Sequence, residues 1–247
     1  MKIKNVILTK SYTGFYFDDQ KAIKKDAQKD GFMYIGEPLT EGFKEVRMPG
    51  EAISVQLVLE NGLVGTGDCA AVQYSGAGGR DPLFLANDFI PFIEENIVSS
   101  LIGEDVSKFK PLAEKYDHMR INGNRIHTAI RYGITQALLS ATAIATNKTM
   151  AEVIRDEYNQ GNTILSRVPI FAQSGDDRYT NVDKMILKEV DAMPHALINN
   201  VKEKLGYNGE ILLEYVTWLK NRIIAKRNNK DYSPILHVDV YGTIGIA

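Results

Sequence analysis

"ISVQLVLENGLVGTGDC", residues 53–69, is the stretch on which the fold turns. Two β-rich runs, 53–60 and 63–69, flank Asn61-Gly62. An Asn-Gly pair in that position signals a hairpin, because its backbone takes positive φ at little cost. Residues 1–10 alternate as a strand, and Phe43–Arg47 reads as another. The N-terminal part is therefore expected to open with a small antiparallel sheet.

Beyond Pro82 the apolar residues recur at helical spacing in 83–102, 109–119, 127–145 and 150–158. Thr149 and Glu152 form a capping box for the last of these. The Ala-rich run 127–145 is expected to be buried by the others. Residues 159–167 read as a linker. "VPIFAQ", "HALINNV" and "PILHVDVYG" then read as strands, alternating with the helical runs "NVDKMILKEV" and "GEILLEYVTWLKNRIIAKR". Such alternation argues for parallel β-α units.

The bulk properties narrow the classes. The chain has 247 residues, 24% of them charged, with a net charge of −2. No basic excess points to nucleic acid, and no basic amphipathic stretch points to a membrane surface. The N-terminus lacks the apolar core of a signal peptide. Ile134–Ala145 is too short to span a bilayer. Cys69 is the single cysteine, so no internal disulfide forms, which suits a cytoplasmic protein.

The glycine-rich stretch 67–82, "GDCAAVQYSGAGGRDP", invites a phosphate-loop reading, since glycines before a helix suit anions. Neither the Walker spacing nor G-x-G-x-x-G fits, and Asp81 places negative charge where phosphate would sit. A flexible turn, a substrate-covering loop and a phosphate cradle remain the three readings.

Functional groups in parallel β/α sheets gather where strands end. Gln173, His195 and Asp239 stand at such ends. Asp239 lies on an apolar strand and needs a partner, either a metal ion or a structural cation or hydrogen-bond donor. His195 is either a hydrogen-bonded core residue or a functional one. His237 is expected to point outward, near the face that holds Asp239. "SGDDRY", 174–179, reads as a solvated turn with an Asp helix cap. No histidine shows zinc-site spacing.

Read together, "TGFYFDDQ", "GDCAAVQYSGAGGRDPLF", "NGNRIHTAIRYGITQALL", "VPIFAQSGDDRY", "PHALINNV" and "HVDVYGTIG" resemble the methylaspartate ammonia-lyase family of the enolase superfamily. The resemblance implies an α+β capping domain over 1–160, an antiparallel sheet plus a helix cluster. It is followed over 161–247 by the first part of a β/α (TIM-type) barrel. It implies reversible loss of ammonia from 3-methylaspartate to give mesaconate, with Mg²⁺ as cofactor and K⁺ as activator. The family is a cytoplasmic homodimer acting on a small amino acid in glutamate degradation, with no nucleic-acid or membrane partner. By the same resemblance Asp239 is the first of three metal carboxylates, and His195 is a catalytic acid or base. Gln173 contacts a substrate carboxylate, Phe171 lines the apolar wall, and Gln73 lies in a loop near the amine that closes over the site. A (β/α)₈ barrel takes about 250 residues, so the expectation is a portion of such an enzyme. The alternatives are an inactive truncated chain, or half of a split enzyme needing a complementary chain.

Overall fold

The computed structural model describes residues 1–71, 81–158, 167–175 and 177–245. They fall into two compact units, Met1–Leu165 and Ser166–Ala247.

The first unit is built on β1 (Ile3–Asp18), β4 (Arg47–Leu59) and β5 (Val64–Ala70), an antiparallel sheet with β4 in the centre. On β4 the residues Ile53, Val55, Leu57 and Leu59 are fully buried, while Ser54, Gln56 and Val58 between them are half-buried. This period-two pattern fixes which face meets the helices, since a one-residue slip would expose every one of those side chains. Each such side chain contributes about 1.5–3 kcal/mol by leaving water. The expected hairpin is present. Gly62 takes positive φ (85°) and Asn61 does not, so the connection is a three-residue type with Gly at the bulge position.

Between β1 and β4 lie α1 (Gln20–Lys25) and a hairpin of β2 (Gln28–Asp30) and β3 (Met33–Ile35), short charged elements with no apolar period to announce them. Residues 43–46, expected to begin a strand, are irregular, and β4 starts only at Arg47. β1 runs eight residues past the expected end. It can do so because a register shift between Tyr12 and Tyr16 lets Pro49 and Gly50 enter β4 opposite it.

The helices are α2 (Ala86–Ile93), which passes through a π turn (Glu94–Val98) into α3 (Ser99–Leu101), then α4 (Phe109–Asp117), α5 (Thr128–Thr146) and α6 (Met150–Tyr158). A two-residue ladder, β6 (Arg120–Ile121) and β7 (Asn124–Arg125), joins α4 to α5. The capping box of α6 forms as expected, with the Thr149 N–H donating to Glu152 Oε2 at 2.8 Å. His127 caps α5. Its Nδ1 accepts from the Ala129 N–H and its Nε2 donates to the Pro82 carbonyl, so the buried ring is neutral, and burial holds its pKa below the ordinary value.

Alpha-helix α5 lies against β5 backbone to backbone. A Cβ on Gly67 would come within 2.3 Å of the Gly133 carbonyl, and one on Gly133 within 2.4 Å of the Cys69 N–H nitrogen. The glycines of "LVGTGDC" are therefore contact points with a helix. Cys69 sits in this seam, its thiol pushed up to about 12 by burial and inert for redox chemistry.

The second unit holds α7 (Val182–Leu187), β8 (Ala192–Leu197), α8 (Glu210–Lys226) and β9 (Ile235–Asp239). β8 and β9 pair in parallel, and residues 171–175 run parallel along the other edge of β8 through bridges Phe171 to Ala192 and Gly175 to Ala196. One face is covered by α7 and α8, where Val182, Ile186, Met193, Leu219 and Ile223 make the core. The architecture is thus an α+β unit followed by a second unit of parallel strands and helices.

Two predictions follow from this packing. Gly67→Ala should lower the stability of the first unit by about 1–3 kcal/mol or more through overpacking, whereas Gly14→Ala, with nothing within 4 Å of the new Cβ, should stay within about 0.5 kcal/mol. Urea unfolding reads both. Asp19 is fully buried and accepts from the N–H groups of Lys21, Ala22, Leu39 and Thr40 and from the Thr40 hydroxyl. Burial opposes its charge, but these donors outweigh it and hold the carboxyl below its ordinary range. A depressed carboxylate stabilises above its unfolded pKa, so this contribution should disappear as pH falls below about 4. Asp19→Asn should flatten that part of the pH dependence.

Candidate active site

The face opposite α7 and α8 carries the polar residues. The two-residue period puts Phe171 and Gln173 on it and turns Ala172 and Ser174 toward the helices; Ser174 is buried and Gln173 exposed. On β9, His237 and Asp239 share a face for the same reason.

β8 breaks the pattern at one residue. Pro194 pairs with His237 and Ala196 with Val238, leaving His195 without a partner in the register. His195 has φ 45°, a left-handed conformation that costs a non-glycine residue about 1–3 kcal/mol. A bulge re-aims a side chain. Here it swings the His195 ring onto the ring of His237, with Nδ1 to Nδ1 at 3.2 Å, centroids 5.0 Å apart and planes within 27°. Phe171 presents its ring edge-on to both, at 5.3 Å from His195 and 5.1 Å from His237.

Asp239 closes the cluster. Its Oδ1 accepts from the Tyr241 N–H at 3.2 Å, and its Oδ2 lies 3.7 Å from His195 Nε2. Among the described residues no lysine or arginine forms an ion pair with it. About a third of the side chain is accessible.

Of the residues singled out from sequence, Phe171, His195 and Asp239 are brought into contact, and Gln173 stands on the same face without a hydrogen bond among the described residues. Gln73 and the loop around it lie outside the described residues. His237, expected to point outward on or near the face of Asp239, is exposed there, and its ring also meets that of His195. The acidic turn differs: Asp177 accepts from the Thr180 N–H, while Asn181 precedes α7 without a side-chain cap.

A divalent cation is tested by the donor set. Asp239 offers a hard oxygen suited to Mg²⁺, but among the described residues no three metal-ligating side chains converge. Mg²⁺ requires near-octahedral oxygen coordination, so the described residues by themselves do not make a complete site.

The sequence matches the family description "Methylaspartate ammonia-lyase N-terminus" over residues 1–159 and "Methylaspartate ammonia-lyase C-terminus" over residues 162–247. The chain belongs to the methylaspartate ammonia-lyase family. It is 67% identical over 247 residues to the methylaspartate ammonia-lyase of Clostridium tetanomorphum, covering 100% of this chain and 60% of that protein. A Mg complex of β-methylaspartase from that organism superposes with a TM-score of 0.96, covering 100% of this chain and 59% of the other. The Citrobacter amalonaticus enzyme, solved with (2S,3S)-3-methylaspartic acid, gives 59% identity and a TM-score of 0.94 over 100% of this chain and 60% of that one. Muconate lactonizing enzyme from Pseudomonas putida, at 12% identity and a TM-score of 0.53, shares the fold alone, over 97% of this chain and 52% of the other. The chain spans about 60% of the length of the curated methylaspartate ammonia-lyases it matches.

The bulge predicts an order of stabilities. His195→Gly and His195→Ala delete the same ring contacts, but only glycine relaxes the left-handed backbone. The glycine variant should be the more stable by about 1 kcal/mol, read from thermal or urea unfolding.

Proposed function

We propose that this chain is the capping unit and the first part of the catalytic unit of a methylaspartate ammonia-lyase, which eliminates ammonia from 3-methylaspartate to give mesaconate. The observation that carries the reading is the shared face of Phe171, His195 and Asp239 in a chain that matches this family along its whole length.

The residues suit parts of that chemistry. The proton removed lies beside a carboxylate, so charge accumulates on that group as the bond breaks. A divalent cation, with Asp239 as one of its oxygen ligands, would neutralise this charge when bound. His195 faces the site with one ring nitrogen and holds or moves a proton there. Phe171 provides an apolar wall, and Gln173 an amide that donates to a substrate carboxylate. Gln73, in the glycine-rich loop, is assigned to the amine side. The remaining cation ligands, and the base on the opposite face of the substrate, belong to sequence corresponding to the rest of the relatives' length. The family resemblance further supports Mg²⁺ with K⁺ activation, a homodimer, a cytoplasmic setting and a role in glutamate degradation. Among the described residues no helix is long and apolar enough to cross a membrane.

A second reading has its own observation. β9 pairs on one side only among the described residues, and its Ile235 is 70% exposed. An open strand edge of this kind recruits further strands, and a separate chain could supply them.

Mesaconate absorbance tests the proposal. The 247-residue chain with 3-methylaspartate and Mg²⁺ should give no turnover, and a version extended to the relatives' length should be active. In the extended protein His195→Ala should lose about 10²–10⁴-fold in rate, and Asp239→Ala should lose activity, with any remainder needing much more Mg²⁺. Robust turnover by the 247-residue chain, or full activity in either variant, would refute the assignment of roles.

A further inference from the structure

We propose that the first unit binds a small apolar α-amino acid in the cleft between α2 and the β6–β7 hairpin, with Asp81 facing the ligand's ammonium, Arg125 its carboxylate, and Phe89 and Phe92 its side chain.

The cleft has a volume of about 310 Å³, at the small end of the range of about 300–1,000 Å³ that ligand pockets occupy. Its walls are set by local geometry. Asn122 and Gly123 both take positive φ, 51° and 81°, as a type I′ turn requires. The turn pairs Ile121 with Asn124 and Arg120 with Arg125, and Arg120 Nη1 closes it by donating to the Gly123 carbonyl at 2.8 Å. On α2, Phe89 and Phe92 stand three residues apart and so share a face. Both are half-buried, with their rings edge to face at 6.3 Å. His127 adds an apolar ring to this lining, 5.1 Å from that of Phe89, and no charge, since its two nitrogens bond to Pro82 and Ala129.

Two opposite charges border the cleft, and among the described residues they form no ion pair with each other. Asp81 accepts from the Thr128 N–H at 2.8 Å, and 37% of its side chain is accessible. Burial opposes its charge, but the bonds from Thr128 outweigh it and keep the carboxyl below its ordinary range. Arg125 donates from Nη2 to the Asp117 carbonyl at 3.3 Å and to Asp117 Oδ2 at 3.2 Å, with 48% of its side chain accessible. A ligand bearing only a carboxylate would be repelled by Asp81, and one bearing only an ammonium by Arg125. A zwitterion answers both, and an apolar side chain leaves water against the phenylalanine rings. A second carboxylate, as in 3-methylaspartate, would be pressed against that apolar floor without a partner. The site does not depend on the lyase reading.

The test uses the 247-residue chain with ¹³C-labelled isoleucine methyl groups at neutral pH. Ile121 and Ile126 line the cleft, and Ile121→Val and Ile126→Val assign their signals. L-Leucine should shift both signals saturably, with a Kd in the millimolar range. Isocaproate, which lacks the ammonium, and isoamylamine, which lacks the carboxylate, should each bind about tenfold more weakly or worse. 3-Methylaspartate should not displace leucine. Asp81→Asn and Arg125→Gln keep the size of the side chain and remove one charge each. Each should weaken leucine binding about tenfold, while isoleucine signals outside the cleft stay in place and show that the fold is kept. The two analogues test the wild-type chain without any substitution. Absence of a saturable shift at Ile121 and Ile126, binding of either analogue as tight as that of leucine, displacement by 3-methylaspartate, or unchanged affinity in either folded variant would overturn the proposal.

Discussion

The parallel register between residues 171–175, β8 and β9 is the constraint from which the rest of the site follows. One side of these strands is committed to α7 and α8 by Met193, Leu219, Ile223 and their neighbours. With a side-chain period of two, that commitment forces Phe171, Gln173, His237 and Asp239 onto the other side. Apolar packing on one face thus decides the placement of polar chemistry on the other. His195 departs from the rule, and its bulge turns one ring across the sheet onto its neighbour at a cost in backbone strain. Strain of this kind persists where the surroundings over-determine it, and here a stacked histidine and an edge-on phenylalanine do so.

The capping unit depends on a different economy of space. The sheet and α5 approach so closely that glycine is required at the contacts, and the helix presents Gly133, Ala137 and Ala141 to them. A seam of small residues lets a long helix lie flat on β5, which in turn shields β4. Asp19 ties the irregular segment around Leu39 and Thr40 to the end of β1, replacing the regular pairing that residues 43–46 do not make.

Much of this was legible in the sequence. Asn61-Gly62 announced the hairpin because its turn chemistry is local, and α5 was legible because its apolar period runs for five turns. The Thr149–Glu152 box was legible for the same local reason. The strands around His195 and Asp239 were recognised, although β8 begins three residues earlier than the polar residues suggested, and the strand expected at 168–173 is only a segment that bridges β8 at Phe171. The length of β1 was hidden, since a bulge that admits Pro49 and Gly50 into a strand has no short-range mark. The bulge at His195 was hidden too: no composition rule assigns positive φ to a histidine after proline. The partnership of His195 with His237 spans 42 residues and exists only once the parallel register is set. The metal role expected of Asp239 rests on family resemblance, and the structure adds to it an imidazole, with His195 Nε2 3.7 Å from Oδ2.

These side chains share one face, and a nuclear Overhauser measurement tests that placement most directly. Ring protons of Phe171 should show cross-peaks to the carbon-bound ring protons of both His195 and His237, whose centroids lie 5.3 and 5.1 Å away. Cross-peaks from Phe171 to the core residues beneath α7 and α8, with none to either histidine, would contradict it.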